Sequence, residues 1–227
     1  MITGEITVIG RLVDASNATL LCEIEPLDES IQTIKLIYKP IAGERPLWDF
    51  PDGGLARREV AAYLFSERMD LGVVPPTLLR EGPFGEGSLQ LWVEVDESVD
   101  IVSIGQSDHE DIRKIAFLDV LINNTDRKFG HILPDSSGRI FGCDHGLTFH
   151  SDDKLRTVIW QFAGQPISES ERCKLGELLA SGFDEALLEL ISQEDHEALL
   201  ARAEKFLNAG RYPFPSDEWP SVPWPPF

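Results

Sequence analysis

Basic stretches are missing from this chain. Its 227 residues hold 20 Lys and Arg against 39 Asp and Glu, a formal charge of -19, and no run of cations interrupts that balance. A field of that sign repels phosphate backbones and anionic bilayer surfaces, so neither nucleic acid nor a membrane is an expected partner. Cysteine is scarce as well: Cys22, Cys143 and Cys173 are the three present. Odd in number, far apart and without a Cys-x-x-Cys pair, they offer neither a disulfide framework nor the usual zinc or redox spacing. No apolar run approaches the roughly 20 residues of a membrane-spanning helix. No charged-then-apolar leader follows Met1, and no internal repeat is visible. Together these absences lead us to expect a soluble protein of a reducing compartment, the cytoplasm.

What is present is a hydrophobic fraction of 42%, enough to fill the core of one large domain or two small lobes. Alternating apolar residues predict strands over 5–13 and 18–24, and a third over 33–39 stopped by Pro40. Gly43, Pro46, Pro51, Gly53 and Gly54 then mark a long irregular loop. A helix is predicted over 55–69, with Gly72 where a stop belongs, followed by strands over 77–80 and 88–95. The acidic stretch Asp96-Glu-Ser-Val-Asp100 reads as a connection between lobes, 1–95 and 96–227. Helical spacing of Ile112, Ile115, Leu118 and Leu121 predicts a core-facing helix over 109–122. Short strands around Ile132 and Ile140 flank the turn Asp135-Ser-Ser-Gly138. Ser168 with Glu171 forms a capping box for a helix reaching Ala180, Asp184 opens one through Ile191, and a last helix covers 194–207. The proline-rich tail 212–227 cannot be helical. Its aromatic rings are expected to dock on the body.

Chemistry-bearing residues gather in Asp119-Val-Leu-Ile-Asn-Asn-Thr-Asp126-Arg-Lys-Phe-Gly-His131 and in Ile140-Phe-Gly-Cys-Asp144-His-Gly146. Phosphoryl transfer needs one carboxylate against the attacking hydroxyl and another to hold a divalent metal on the phosphates, with cations to absorb developing charge. Asp126 and Asp144 supply the two carboxylates. A kinase catalytic loop places a metal ligand five residues after its base, a position filled here by His131, and Asp144-His-Gly stands where Asp-Phe-Gly would.

With these residues in view, the chain resembles the phosphatidylinositol 3-/4-kinase-like branch of the kinase fold, and more closely a group of small bacterial proteins within it. The hairpin tip Ala15-Ser16-Asn17 is similar to their phosphate-covering loop. Lys39 in Ile37-Tyr-Lys39-Pro stands where the family has its nucleotide-phosphate lysine, with Glu59 opening the helix that pairs with it, although Glu67 competes for that role. Leu89-Gln-Leu-Trp-Val-Glu94-Val95 resembles the last small-lobe strand and the hinge whose backbone holds adenine. Asn123-Asn-Thr-Asp126-Arg127 is similar to the Asp-Arg catalytic loop of lipid kinases and toxin kinases. The resemblance covers about residues 5–150. It implies an α+β, kinase-like bilobal fold: a small antiparallel-sheet lobe with one helix, and a reduced, mostly helical large lobe. It also implies ATP with Mg²⁺ or Mn²⁺, and an unidentified hydroxyl acceptor on a small molecule or a protein. Asp126 would orient or deprotonate that acceptor, Lys128 would meet transition-state charge, and His131 and Asp144 would hold the metal.

The pattern departs from its relatives in three places. His131 replaces an asparagine and favours Mn²⁺ over the oxygen-seeking Mg²⁺. Lys128 follows Arg127 where lipid kinases carry histidine. After Asp144 too little chain remains for the substrate-binding parts of lipid kinases, so a phosphoinositide acceptor is not implied. Three other readings stay open at this point: a pseudokinase that binds without turnover, a kinase-fold enzyme transferring AMP, and a metal hydrolase built on His131, His145 and His150 with Asp126 and Asp144. The last matches no standard zinc spacing.

Overall fold

The computed structural model describes residues 3–12, 17–25 and 32–227. The hairpin tip at Ala15 and Ser16 lies outside them. Five antiparallel strands form the first sheet: β1 (Ile6–Arg11), β2 (Leu20–Ile24), β3 (Ile34–Pro40), β4 (Thr77–Gly82) and β5 (Gly85–Leu91), in the order β1-β2-β3-β5-β4. Alternation along β2 and β3 turns Leu20, Cys22, Ile24, Leu36 and Tyr38 to one face, where they close a small apolar cluster with Ile6 and Leu89. At the centre of this sheet β5 approaches β3 closely. A Cβ on Gly87 would lie 2.4 Å from the Lys39 carbonyl oxygen, so only glycine permits the register that seats Lys39 opposite Ser88.

Helix α1 (Leu55–Arg68) follows the long loop after β3. Its own N-cap, Gly54, has no side chain to offer, and Glu44 reaches back from the loop to accept from the amides of Leu55 at 3.2 Å and Ala56 at 2.8 Å. The helix is buried on several sides, because Ala61, Ala62 and Phe65 pack into the larger apolar core rather than the sheet cluster. Two adjacent charged residues are buried with it. Arg58 donates to the Thr148 carbonyl at 2.6 Å and to Asp195 at 2.7 Å, and Glu59 accepts from the His145 amide at 3.0 Å. These bonds fasten α1 to the helical part of the molecule.

That part contains α2 (Ile101–Gly105), α3 (Glu110–Ile122), the two-stranded ribbon β6 (Ile132–Pro134) with β7 (Ile140–Gly142), α4 (Glu169–Ser181), α5 (Glu185–Leu188) and α6 (Gln193–Ala209). The architecture is α+β with an antiparallel five-stranded sheet, as expected. Ile112, Ile115, Leu118 and Leu121 of α3 are fully buried, and Ser168 and Glu171 make both halves of the capping box. Two expected boundaries need correction. The strand expected over 88–95 runs from Gly85 to Leu91, and the helix expected from Asp184 to Ile191 keeps a single turn. No helix among the described residues is long and apolar enough to cross a membrane.

The tail docks, but not through most of its rings. Tyr212 is buried and donates to Glu171, whereas Phe214, Trp224 and Phe227 are exposed. Main-chain carbonyls make further contacts: Ser221 accepts from the Thr157 amide at 3.0 Å and the Trp160 indole at 2.9 Å, and Pro226 accepts from the Phe129 amide at 2.8 Å.

Candidate active site

Helix α3 ends on Asn123, whose left-handed backbone (φ 53°) turns the chain out of the helix. Its side-chain amide donates to the carbonyls of His150 and Asp152 while its oxygen accepts from the Lys154 amide, so the loop that follows starts from a fixed point. Below that loop Arg127 is fully buried. It forks onto Asp119 with two 2.9 Å bonds and donates to the Cys143 carbonyl at 2.8 Å. Asn124 donates to the same Asp119 at 2.9 Å and accepts from the Asp126 amide at 3.0 Å. Arg127 also meets His145 Nε2 at 2.7 Å. Because arginine only donates, His145 accepts there and carries its proton on Nδ1. Burial, with Arg127 beside it, holds that imidazole well below its ordinary pKa.

Above this base lie groups that are, Glu59 apart, partly open to solvent. Lys39 from β3 bonds to Glu59 of α1 and, at 2.7 Å, to Asp144 Oδ1. Glu67, the competing partner on the same helix, is not the one Lys39 contacts. Burial opposes the charge on Lys39, but Asp144 and Glu59 outweigh it and hold the ammonium above the ordinary lysine range. Lys39 in turn keeps the Asp144 carboxyl far below the usual carboxylate range, with His131 assisting. Asp144 itself has a left-handed backbone (φ 60°), a strained conformation for a residue with a side chain and one that clusters at functional sites. His131, at the end of the turn Phe129–His131, presents Nε2 to Asp144 Oδ2 at 3.2 Å. Burial lowers the His131 pKa, so near neutral pH the ring is a free-base donor. Lys128 pairs with Asp126 at 3.1 Å.

The structure thus brings Lys39, Glu59, His131 and Asp144 into one connected cluster, with Asp126 and Lys128 paired on the loop between Asn123 and His131. Asn17, just before β2, accepts through its side chain from the Arg45 amide at 2.9 Å and is not bonded to the cluster. Ser16 falls outside the described residues. Glu94 is exposed and bonded to Lys35 at 3.0 Å, and Val95 forms an isolated bridge with Asp135. Neither touches the Lys39 cluster. Motif reading gave no role to Glu44, Arg58 or Asp119: Arg58 reaches partners far along the chain, Glu44 acts across the long loop, and Asp119 stands within the motif segment itself, where it meets Asn124 and Arg127.

Donor chemistry suits a divalent cation. An imidazole nitrogen and a carboxylate oxygen converge, and Mg²⁺ or Mn²⁺ at nucleotide sites takes one or two protein ligands and completes its shell with phosphate oxygens and water. Among the described residues no group of three or more potential ligands forms an all-protein metal cage.

No protein-family model matches the chain. The Mycobacterium tuberculosis protein Rv2133c is 39% identical over 262 residues, an alignment covering 99% of this chain and 93% of that protein. The chain belongs to the Rv2133c family. This chain is weakly similar to a plant protein, phosphatidylinositol 4-kinase gamma 4 of Oryza sativa subsp. japonica, at 28% identity over 190 residues. That match covers 66% of this chain and 34% of the plant protein. Among solved structures, hydra Fam20 with sugar superimposes with a TM-score of 0.61 at 13% identity, over 92% of this chain and 85% of that one. This chain therefore has a kinase-like fold.

Proposed function

We propose that this protein is a phosphotransferase that moves the terminal phosphoryl group of ATP to a hydroxyl acceptor. The observation that carries the reading is the single bonded cluster in which Lys39 joins Glu59 and Asp144, beside a loop bearing Asp126 and Lys128. Weak similarity to a plant phosphatidylinositol 4-kinase supports the transfer chemistry. It does not extend to the lipid acceptor, since the match spans about a third of that protein.

Each residue has a role set by its charge. Lys39, braced by Glu59, holds nucleotide phosphates. His131 and Asp144 would hold a divalent metal, which when bound screens phosphate charge and orients the phosphates for in-line attack. Asp126 orients the acceptor hydroxyl and takes its proton as the acceptor oxygen bonds to phosphorus and the bond to the ADP oxygen breaks. Lys128, on the same loop, meets the charge on the transferring group. Arg127, buried and saturated, keeps the loop in place.

Asp144→Asn should abolish metal-dependent nucleotide binding, because an amide lacks the charge that holds a cation. Asp126→Asn should bind nucleotide normally and lose about 10²-fold or more in turnover. Calorimetry with ATP and Mg²⁺ or Mn²⁺ checks the first, and labelled ATP with mass spectrometry of the products checks the second. No nucleotide binding with either metal would overturn the proposal. A product heavier by a nucleotide would instead establish AMP transfer.

A further inference from the structure

Residues 156–158 run in extended form against the catalytic loop. Asn124 O accepts from the Arg156 amide at 2.9 Å, Arg156 O accepts from the Arg127 amide at 3.1 Å, and Arg127 O accepts from the Val158 amide at 3.1 Å, with Arg127 and Thr157 bridged in parallel. Side chains alternate between faces along paired extended chains. Arg127 and Thr157 both turn inward and are buried. Their predecessors, Asp126 and Arg156, therefore share the opposite face, the face on which the acceptor must lie if Asp126 addresses its hydroxyl.

Arg156 differs from every other cation around this loop. Lys39 is bonded to Glu59 and Asp144, Lys128 to Asp126, Arg127 to Asp119 and Lys154 to Asp49. Among the described residues no carboxylate pairs with the Arg156 guanidinium, and its Nε is buried with no hydrogen-bond partner. Other arginines of this chain, Arg68 and Arg139 among them, also bond to neutral oxygens rather than to an acid, so what sets Arg156 apart is its buried, unpartnered Nε on the acceptor side of the catalytic loop. A buried donor without an acceptor is costly, and an arriving oxyanion relieves that cost while matching the planar fork of the side chain.

We infer that Arg156 binds an oxyanionic group, carboxylate or phosphate, carried by the acceptor molecule whose hydroxyl faces Asp126. This rests on the phosphotransferase reading of Asp126. It also narrows the acceptor: the net negative field repels polyanions, while one local cation selects a small molecule with a single anionic group.

The test uses the full chain saturated with a non-hydrolysable ATP analogue and metal, titrated with inorganic phosphate and, separately, with acetate. Wild type should bind at least one of the two. Arg156→Gln should weaken that binding about tenfold or more, and Arg156→Lys should restore part of it. Affinity for the ATP analogue should stay within about twofold in all three proteins. Preference for phosphate or for acetate identifies the oxyanion. Neither anion binding to wild type, or equal binding to Arg156→Gln, overturns the inference. Failure of the ATP analogue to bind wild type would instead strike the phosphotransferase reading, and anion titrations on the nucleotide-free protein would still decide whether Arg156 is an anion site.

Discussion

Beneath the catalytic loop, Asp119, Asn124, Arg127 and His145 form a network closed to water, in which Arg127 and Asp119 bond to each other and to their neighbours. Above it, Lys39, Asp144, His131, Asp126 and Lys128 are joined by single contacts, with Asp144 nearly half exposed. Both sets contain aspartates facing cations a few residues apart. The difference lies in access: the lower set is sealed and, His145 Nδ1 apart, spends its donors and acceptors within itself and on backbone carbonyls, whereas the upper set keeps lone pairs and charge for something that arrives. A buried, saturated network holds geometry, whereas an open one is where ligands exchange.

Breaking the lower network should have the largest effect. Arg127→Met leaves Asp119 buried without its counter-charge and should cost about 3–5 kcal/mol of folding stability. The same denaturant melt on Asp126→Asn should differ from wild type by no more than about 0.5 kcal/mol. Equal losses would erase the contrast between the two sets.

A smaller effect sharpens the open side. His131→Asn should lower Mn²⁺ affinity on the order of tenfold, about 1.4 kcal/mol, and move preference toward Mg²⁺. Because burial lowers the His131 pKa, wild type should keep its metal through the ordinary imidazole range near ~6.5 and lose it only in more acidic solution, as the ring protonates. Titrating both metals into both proteins at several pH values checks this, and superimposable profiles would remove His131 from the ligand set.

The smallest effect lies away from both networks. Burial disfavours the Glu171 carboxylate, yet Arg113, Tyr212 and the Ser168 amide outweigh it and hold its pKa below the ordinary value. A lowered folded pKa contributes stability that is complete above the unfolded value near ~4.3 and disappears as pH falls through the folded one. Glu171→Gln should therefore melt a few degrees below wild type at neutral pH, at about 2–4 °C per kcal/mol for a chain of this size. That gap should narrow in acid. A gap independent of pH would assign the loss to packing.

Much of this was legible in the sequence because it is local. Period-two alternation revealed the β1–β2 hairpin, helical spacing revealed α3, and Ser168 with Glu171 marked the start of α4. The end of β5 was not legible, since apolar Leu91, Trp92 and Val93 continue the strand pattern where the chain leaves the ladder. The helix α1 was legible as a helix, but the burial of its charged side was not. Its charged residues Arg58 and Glu59 are buried only because Asp195, Thr148 and His145 come to them from far along the chain. Lys39 and Asp144 were individually visible as site residues, but their direct bond spans 105 positions and belongs to the fold. The tail was expected to dock by ring burial, and it is held mostly by carbonyls that composition cannot reveal.

The end of that tail carries a practical consequence. Pro226 accepts from the Phe129 amide, the Phe227 ring stacks within 5.6 Å of the Phe129 ring, and the Phe227 carbonyl carbon lies 3.9 Å from where a Cβ on Gly130 would be. A change of side chain at position 227 is therefore felt at the same turn that presents His131, and a Phe227→Ala variant with altered turnover would be reporting on the turn from Phe129 to His131 rather than on the tail.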